Sequence, residues 1–229
     1  MNIIERKRKT LEILRKQHSI SVAELSRIFG VSMVTVRSDM EDLENRGLVV
    51  RTHGEVCIAE HYPTTRFISN TLIEMKEAKE YIADIALSLI KKNGSIMIDS
   101  GSTTAYLARK IKDLNLTVVT NSILVLQELI HSEHIELMIA GGTVRKPSLS
   151  LIGSASNTFL DTINTHIYFM GASGFSVEQG ISCTNLIEAE TKRHMISRSM
   201  KVCLLVDSSK CESIYMAHIC GWDAIDCLI

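Results

Sequence analysis

The run with the richest chemistry in this chain is Asp99-Ser100-Gly101-Ser102-Thr103-Thr104. An apolar stretch, Ile96-Met97-Ile98, stops at an acid and passes through small hydroxylated residues around one glycine. It then opens into a helical pattern at Ala105, Leu107, Ala108 and Ile111. A strand, a tight loop and a helix start in that order gather free backbone N–H groups at the positive end of a helix dipole, where an anion is stabilised. Four further runs carry related chemistry: Thr120-Asn121-Ser122, Gly141-Gly142-Thr143-Val144-Arg145, Gly171-Ala172-Ser173-Gly174 and Asp207-Ser208-Ser209-Lys210. Their hydroxyls, exposed N–H groups, Arg145 and Lys210 suit a phosphate, while Asp99, Asn121 and Asp207 suit sugar hydroxyls. Each run taken alone is equally an ordinary turn or helix cap, which Ser, Thr, Asn, Asp and Gly favour.

The elements that would bring these runs together are strands. Apolar runs at 95–99, 116–120, 135–140, 166–170 and 201–206, with a sixth at 225–229, alternate with helical patterns at 103–112, 122–132, 150–162 and 187–199. That alternation predicts a mainly parallel sheet with helices on its faces. In such sheets ligands bind beyond the carboxyl ends of the strands, which is where all five runs fall. A long amphipathic segment from Glu74 through Ile82, Ile85 and Leu89, closed by Asn93-Gly94, predicts a helix leading into the first of these strands.

The first sixty residues carry a different pattern. A helical stretch over 4–17 is followed by Ser21-Val22-Ala23-Glu24, a capping box, and a helix with Leu25, Ile28 and Phe29 on one face. Gly30 stops it, and Ser32 can cap another helix, whose Val36, Met40 and Leu43 recur at helical spacing before Asn45-Arg46-Gly47. Two short helices around a tight turn form a helix-turn-helix, the second helix entering a major groove. The run Leu48-Val49-Val50-Arg51-Thr52-His53-Gly54-Glu55-Val56-Cys57-Ile58 reads as strand, turn and strand, a wing. The candidate DNA contacts are Ser21, Ser32, Met33, Thr35, Arg37, Ser38, Arg51 and His53. Arg37 suits guanine or phosphate, and the hydroxyls suit phosphate or base edges. Charge over this region is nearly balanced, so binding requires segregation. Asp39, Glu41, Asp42 and Glu44 cluster late in the second helix, and the basic cluster at 6–9, Arg37 and the wing are expected to lie away from them. A protein-binding winged helix has the same pattern.

Composition sets the outer limits. The chain has 229 residues, 45% hydrophobic and 22% charged, with formal net charge −1, so no global attraction draws it to nucleic acid. No apolar run approaches the roughly 20 residues a membrane span needs, and no hydrophobic signal core follows the basic N-terminus. The expectation is a cytoplasmic protein without a membrane partner. The six cysteines are scattered without C-x-x-C spacing, and the eight histidines are dispersed, His131 and His134 included. Reduced thiols and surface imidazoles are expected, with no metal and no cofactor.

The motifs Ser21-Val22-Ala23-Glu24-Leu25, Phe29-Gly30-Val31-Ser32, Thr35-Val36-Arg37-Ser38-Asp39, Gly47-Leu48 and Arg51-Thr52-His53-Gly54 resemble the N-terminal domain of DeoR-type transcriptional regulators. Ser38 stands where the family usually has a second arginine, and Glu55 where a second glycine follows Gly54. The resemblance continues through Ile98–Thr104, Leu116–Ser122, Gly141-Gly142 with Arg145, Gly171–Gly174, Glu188–Met195 and Asp207–Lys210. It implies an α/β chain: a winged helix-turn-helix domain at 1–60, a linker at 61–73, and at 74–229 a mainly parallel α/β domain. That last domain would sense the effector, oligomerise, and share a fold with ribose-phosphate isomerase and CoA-transferase-like proteins. The implied partners are double-stranded operator DNA, a phosphorylated sugar or polyol effector, and further copies of the chain as a dimer or tetramer. Repression relieved by the effector is the implied sign. The implied effector site comprises Asp99, Ser100, Gly101, Ser102, Thr103, Thr104, Thr120, Asn121, Ser122, Gly142, Arg145, Lys192, Asp207 and Lys210, with Asp99 on a sugar hydroxyl and Ser100–Thr104 cradling phosphate. Lys192 enters through the resemblance, since Glu188 and Lys192 also read as a plain i,i+4 ion pair. The rival reading is an isomerase-like enzyme fused to a winged helix, with Asp99, Asp207, Glu188, Lys192 and Lys210 as candidate acid, base and oxyanion groups.

Overall fold

The computed structural model describes residues 2–17, 19–45, 48–52, 55–58 and 67–229. The chain divides into two compact units, Met1–Thr64 and Thr65–Ile229.

The first unit contains α1 (Ile3–Gln17), β1 (Ser19–Ser21), α2 (Val22–Phe29), α3 (Met33–Asn45), β2 (Val49–Thr52) and β3 (Glu55–Ile58). Its core is the apolar set read at helical and alternate spacing: Leu11, Leu14, Leu25, Val36, Met40, Leu43, Val49 and Val56, joined by Ile20. The helix boundaries have local causes. Ser21 Oγ accepts the Glu24 N–H at 3.1 Å and starts α2. Gly30, at φ 64°, ends α2 by donating its N–H to Ser26 O from the left-handed region, where a side chain is disfavoured. Ser32 Oγ then accepts the Thr35 N–H at 3.2 Å and starts α3. The wing has one strand more than expected: the order is β1-β3-β2, antiparallel, because burying Ile20 lays Ser19–Ser21 along β3. The expected helix end at Arg46-Gly47, the wing tip with His53 and Gly54, and the linker residues 61–66 lie outside the described residues.

The second unit begins with α4 (Ile68–Ile73), α5 (Lys76–Ser88), β4 (Ser95–Ile98), α6 (Ser102–Lys110), β5 (Leu116–Thr120) and α7 (Ile123–Leu129). It continues through β6 (Ile135–Ile139), β7 (Thr143–Arg145), β8 (Ser150–Ile152), α8 (Ser154–Leu160), β9 (Ile167–Met170), β10 (Gly174–Ser176) and β11 (Gly180–Cys183). The last elements are α9 (Leu186–Ser197), β12 (Val202–Leu204), β13 (Ala217–Cys220) and β14 (Cys227–Leu228). The main sheet has the order β14-β12-β9-β4-β5-β6 and is parallel at every pairing. Both faces are covered. Ile96 and Ile98 enter one apolar core with α5, α6 and α7, and Met97 enters the other with α8 and α9. From β4 the chain builds outward to β5 and β6; from β9 it builds the opposite way. The crevice between β4 and β9 is therefore the topological switch point, where parallel sheets bind ligands.

Three elements differ from the sequence reading. The helix expected over 150–162 starts as strand β8, and Gly153 at φ 100° separates it from α8. A small antiparallel sheet, β10-β11-β13, was not expected. Residues 68–73, read as linker, form α4, which is tied to the second unit by Ile68 N–H on Pro147 O (2.7 Å) and Tyr106 Oη on Leu72 O (3.1 Å). Buried Lys79 closes the C-terminal end of α4 by donating to Thr71 O and to Glu74 O.

Candidate functional site

At the switch point lies a cavity of about 760 Å³, open mouth included. The end of β4 contributes Ser100 and Gly101, and the first turn of α6 adds Ser102 and Thr103. The end of β9 contributes Gly171–Ser173, and β7 brings Arg145. Glu188 and Lys192 reach in from α9, Lys210 from beyond β12, and Ile68 and Thr71 from α4. The first main-chain bond of α6 runs from Ala105 N–H to Gly101 O, so the preceding N–H groups are directed at the cavity end of the helix. Ser100 Oγ is buried and has no hydrogen-bond partner among the described residues. A buried hydroxyl left in that state is disfavoured unless something in the cavity completes it.

Asp99 corrects an expectation. It is 0% exposed, and its two oxygens are taken by the protein: Oδ1 accepts the Gly171 N–H at 2.9 Å, and Oδ2 accepts Tyr168 Oη at 2.8 Å and the Lys192 ammonium. It is the floor beneath the cavity and holds no sugar hydroxyl. Lys192 also donates to Gly171 O at 3.0 Å, so its partner is Asp99 rather than Glu188 one turn earlier. Burial alone would lower the Lys192 ammonium, but Asp99 and Glu188 beside it more than compensate and hold it above the ordinary lysine value. Burial, then the Asp99 charge, pushes the Tyr168 phenol well up, so it stays a donor.

The remaining expected effector residues divide by what they touch. Thr104 Oγ1 donates to Asp99 O and Gly101 O, tightening the loop from within. Thr120 Oγ1 donates to Ile98 O across the sheet, and Ser122 Oγ caps α7 through the Val125 N–H. Asn121 donates to Leu151 O and leaves Oδ1 buried. Gly142 packs where a Cβ would stand 2.4 Å from Ser156 Oγ. Asp207 caps a 3-10 turn at Ser209 N–H. None of these six lines the cavity; short polar side chains at strand ends here mostly complete main-chain bonds.

The cavity also uses residues that sequence reading missed as a set. Arg145 donates from Nη1 to Ser148 Oγ and from Nη2 to Thr184 Oγ1, both at 3.1 Å, and Ser148 Oγ donates to Glu188 Oε2 at 3.3 Å. Ser148 and Thr184 flank short strands that the apolar pattern does not reveal. Asn185 next to Thr184 is a legible helix cap, its Oδ1 accepting the Glu188 N–H.

In the first unit, the outward face of α3 presents Ser32, Met33, Arg37, Ser38 and Glu41, and Val34 beside them is 72% exposed. Thr35 is half-buried and shares a hydrogen bond with Ser32, while Ser21 is occupied in capping α2. Val34 is not in the expected set; an exposed aliphatic group of this kind suits a thymine methyl. The expected separation of basic and acidic groups is overturned. Arg6 pairs with Asp39, Lys7 with Asp42, and Arg51 with Glu44. Arg8 and Lys9 pair along α1 with Glu12 and Glu5. Asp39 and Asp42 are thus paired by α1 and Glu44 by the wing, while Glu41 and Arg37 make no ion pair among the described residues. Among the described residues no helix is long and apolar enough to cross a membrane.

Residues 6–61 match the DeoR-like helix-turn-helix domain and residues 74–229 the DeoR C terminal sensor domain. The HTH-type transcriptional regulator GolR of Listeria innocua is 33% identical over 98% of this chain and 89% of its own length. The L-fucose operon activator of Haemophilus influenzae is 29% identical over 94% and 87%. Among solved structures, D-ribose-5-phosphate isomerase in complex with phospho-erythronic acid aligns at TM-score 0.46 and 17% identity, over 62% of this chain and 56% of that one. With its helix-turn-helix and its parallel α/β unit both matched, the chain belongs to the DeoR family of transcriptional regulators.

Proposed function

We propose that this chain represses genes of sugar or polyol catabolism and leaves its operator when a phosphorylated sugar or polyol fills the cavity between β4 and β9. One observation carries the effector class: Ser100 Oγ, buried without a partner, lies beside the start of α6 and the oriented Lys192 ammonium. Hydroxyl, helix N-terminus and cation together match a phosphate. The relative named for the L-fucose operon supports a sugar-responsive circuit. In this reading residues 1–60 read DNA, 61–67 join the parts, and 68–229, with α4 on the cavity wall, sense the effector and oligomerise. Ser100, Gly101, Ser102, Thr103, Arg145, Lys192 and Lys210 hold the ligand. Arg37, Met33, Ser38 and Val34 face the major groove, and a dimer or tetramer sets two winged helices on neighbouring half-sites in the cytoplasm.

The cavity acts as a sensor and performs no turnover, because the carboxylate nearest the phosphate end, Asp99, is fully engaged and buried. Effector binding shifts the balance between DNA-competent and DNA-incompetent arrangements by its unequal affinity for them. A thermal-shift screen of phosphorylated sugars and polyols tests this directly. At a hundredfold excess over Kd a true ligand adds about 2.7 kcal/mol of apparent stability. The same ligand must weaken binding to an operator selected from random DNA. Arg37→Ala should weaken operator binding by about tenfold or more with ligand binding intact. Unchanged operator affinity at ligand saturation would overturn the coupling, and turnover lost in Asp99→Asn would overturn the sensor reading.

A further inference from the structure

We infer that Glu188 selects the effector's tail, admitting a monophosphate with an uncharged polyol end and rejecting bisphosphates and phosphorylated aldonic acids. The inference rests on the sugar-phosphate reading above and concerns the opposite end of the same cavity. With Asp99 engaged beneath the floor, Glu188 is the carboxylate that lines the space. It is 6% exposed. Its Oε2 is occupied, accepting from Ser148 Oγ at 3.3 Å and standing 3.5 Å from Arg145 Nη1. Its Oε1 has no hydrogen-bond partner among the described residues. A carboxylate oxygen so placed accepts hydrogen bonds and donates none, which fits a hydroxyl and opposes an anion.

Arg145 does not cancel this preference. Its guanidinium is bound to Ser148, Thr184 and Glu188 Oε2, and the two charges offset each other, but Oε1 stays an acceptor without a donor. A second ligand anion at this end would have to set its oxygens against Oε1, which offers no proton, whereas a ligand hydroxyl donates to it. Spacing along α9 gives the cavity its polarity. Glu188 and Lys192 are four residues apart, on one face and about 6 Å apart along the axis. At the Lys192 end lie Ser100 and the start of α6, built for phosphate; at the Glu188 end lie Ser148, whose hydroxyl is taken by Arg145, Ser150 and Glu188, and Thr184, whose hydroxyl can still donate to a ligand. Ligand charge is therefore wanted at one end only.

Calorimetric titration of the full chain tests this with three probe sets: polyol monophosphates of three to six carbons, the phosphorylated aldonic acids of the same lengths, and the bisphosphates. Inorganic phosphate serves as the probe for the phosphate end alone. The wild-type chain should bind its best monophosphate at least about tenfold tighter than the matching acid or bisphosphate. In Glu188→Gln that ratio should fall toward unity, with the acid gaining more affinity than inorganic phosphate, which reports the change at the Lys192 end alone. If no phosphorylated probe and no inorganic phosphate binds, the sugar-phosphate reading itself fails. If monophosphates bind but acids or bisphosphates bind equally well to the wild type, that reading stands and the role of Glu188 is overturned. An unchanged ratio in a folded Glu188→Gln overturns it too. Should the variant fail to fold, the wild-type ratio alone decides.

Discussion

In the first unit Arg6 reaches Asp39 with bonds of 2.7 and 3.2 Å, tying α1 to α3; in the second, Lys192 reaches Asp99 beneath a cavity. Both pairs are buried, with side-chain exposures of 10% and 3% in the first and 3% and 0% in the second. Both sacrifice hydration, and neither is a strong source of net stability beside an apolar replacement. What differs is what each arranges. The Arg6–Asp39 pair turns one acid of α3 inward, so that the outward face of the helix carries Arg37 with Glu41 as the acid one turn along. The Lys192–Asp99 pair holds a cation still and aims it at empty space. In one unit the ion pair turns an acid away from an exposed helix face; in the other it fixes an ammonium at a cavity wall.

The comparison can be broken at either end, and the largest effect should come from the drier pair. Lys192→Met strands Asp99 as an uncompensated buried charge, and the second unit should lose about 3–5 kcal/mol in urea unfolding. The double variant Asp99→Asn with Lys192→Met should recover most of that loss; failure to recover would mean that Lys192 stabilises by packing alone. Arg6→Met should cost the first unit about 3 kcal/mol, somewhat less because its pair is wetter. Equal stability after that change would show that Asp39 needs no partner. Ser21→Ala removes the α2 cap and should cost about 1 kcal/mol, with operator affinity following stability. Arg37→Ala should change stability by less than about 0.5 kcal/mol while operator binding falls. That contrast separates a residue that reads DNA from those that hold the reader.

The helix-turn-helix was legible because its signals are local. Ser21, Gly30 and Ser32 each act on main-chain groups within five residues, and the apolar spacing needs no partner. The main sheet was legible because strands buried on both faces write continuous apolar runs, as Ser95–Ile98 and Ile167–Met170 do. Short strands left little trace: β10 and β11 are glycine-flanked segments of three and four residues whose pairing is set by neighbours. The role of Asp99 was hidden for the same reason, since Tyr168 and Lys192 arrive from 69 and 93 residues away. Charge in the first unit misled because pairs between helices do not show in a linear count. Arg6 and Asp39 are 33 residues apart.

One small feature of the second unit determines how such experiments are read. The chain has a single tryptophan, Trp222. Its indole N–H donates to Ser176 O at 2.9 Å, and its ring meets Phe175 edge-on, with centroids 5.7 Å apart. Tryptophan emission is therefore a one-site optical probe of the β10–β11 neighbourhood and is blind to a change confined to the DNA-reading unit. A chain whose fluorescence trace stays flat while its helical circular dichroism falls has melted at the N-terminal end, and its light still comes from an intact sensor.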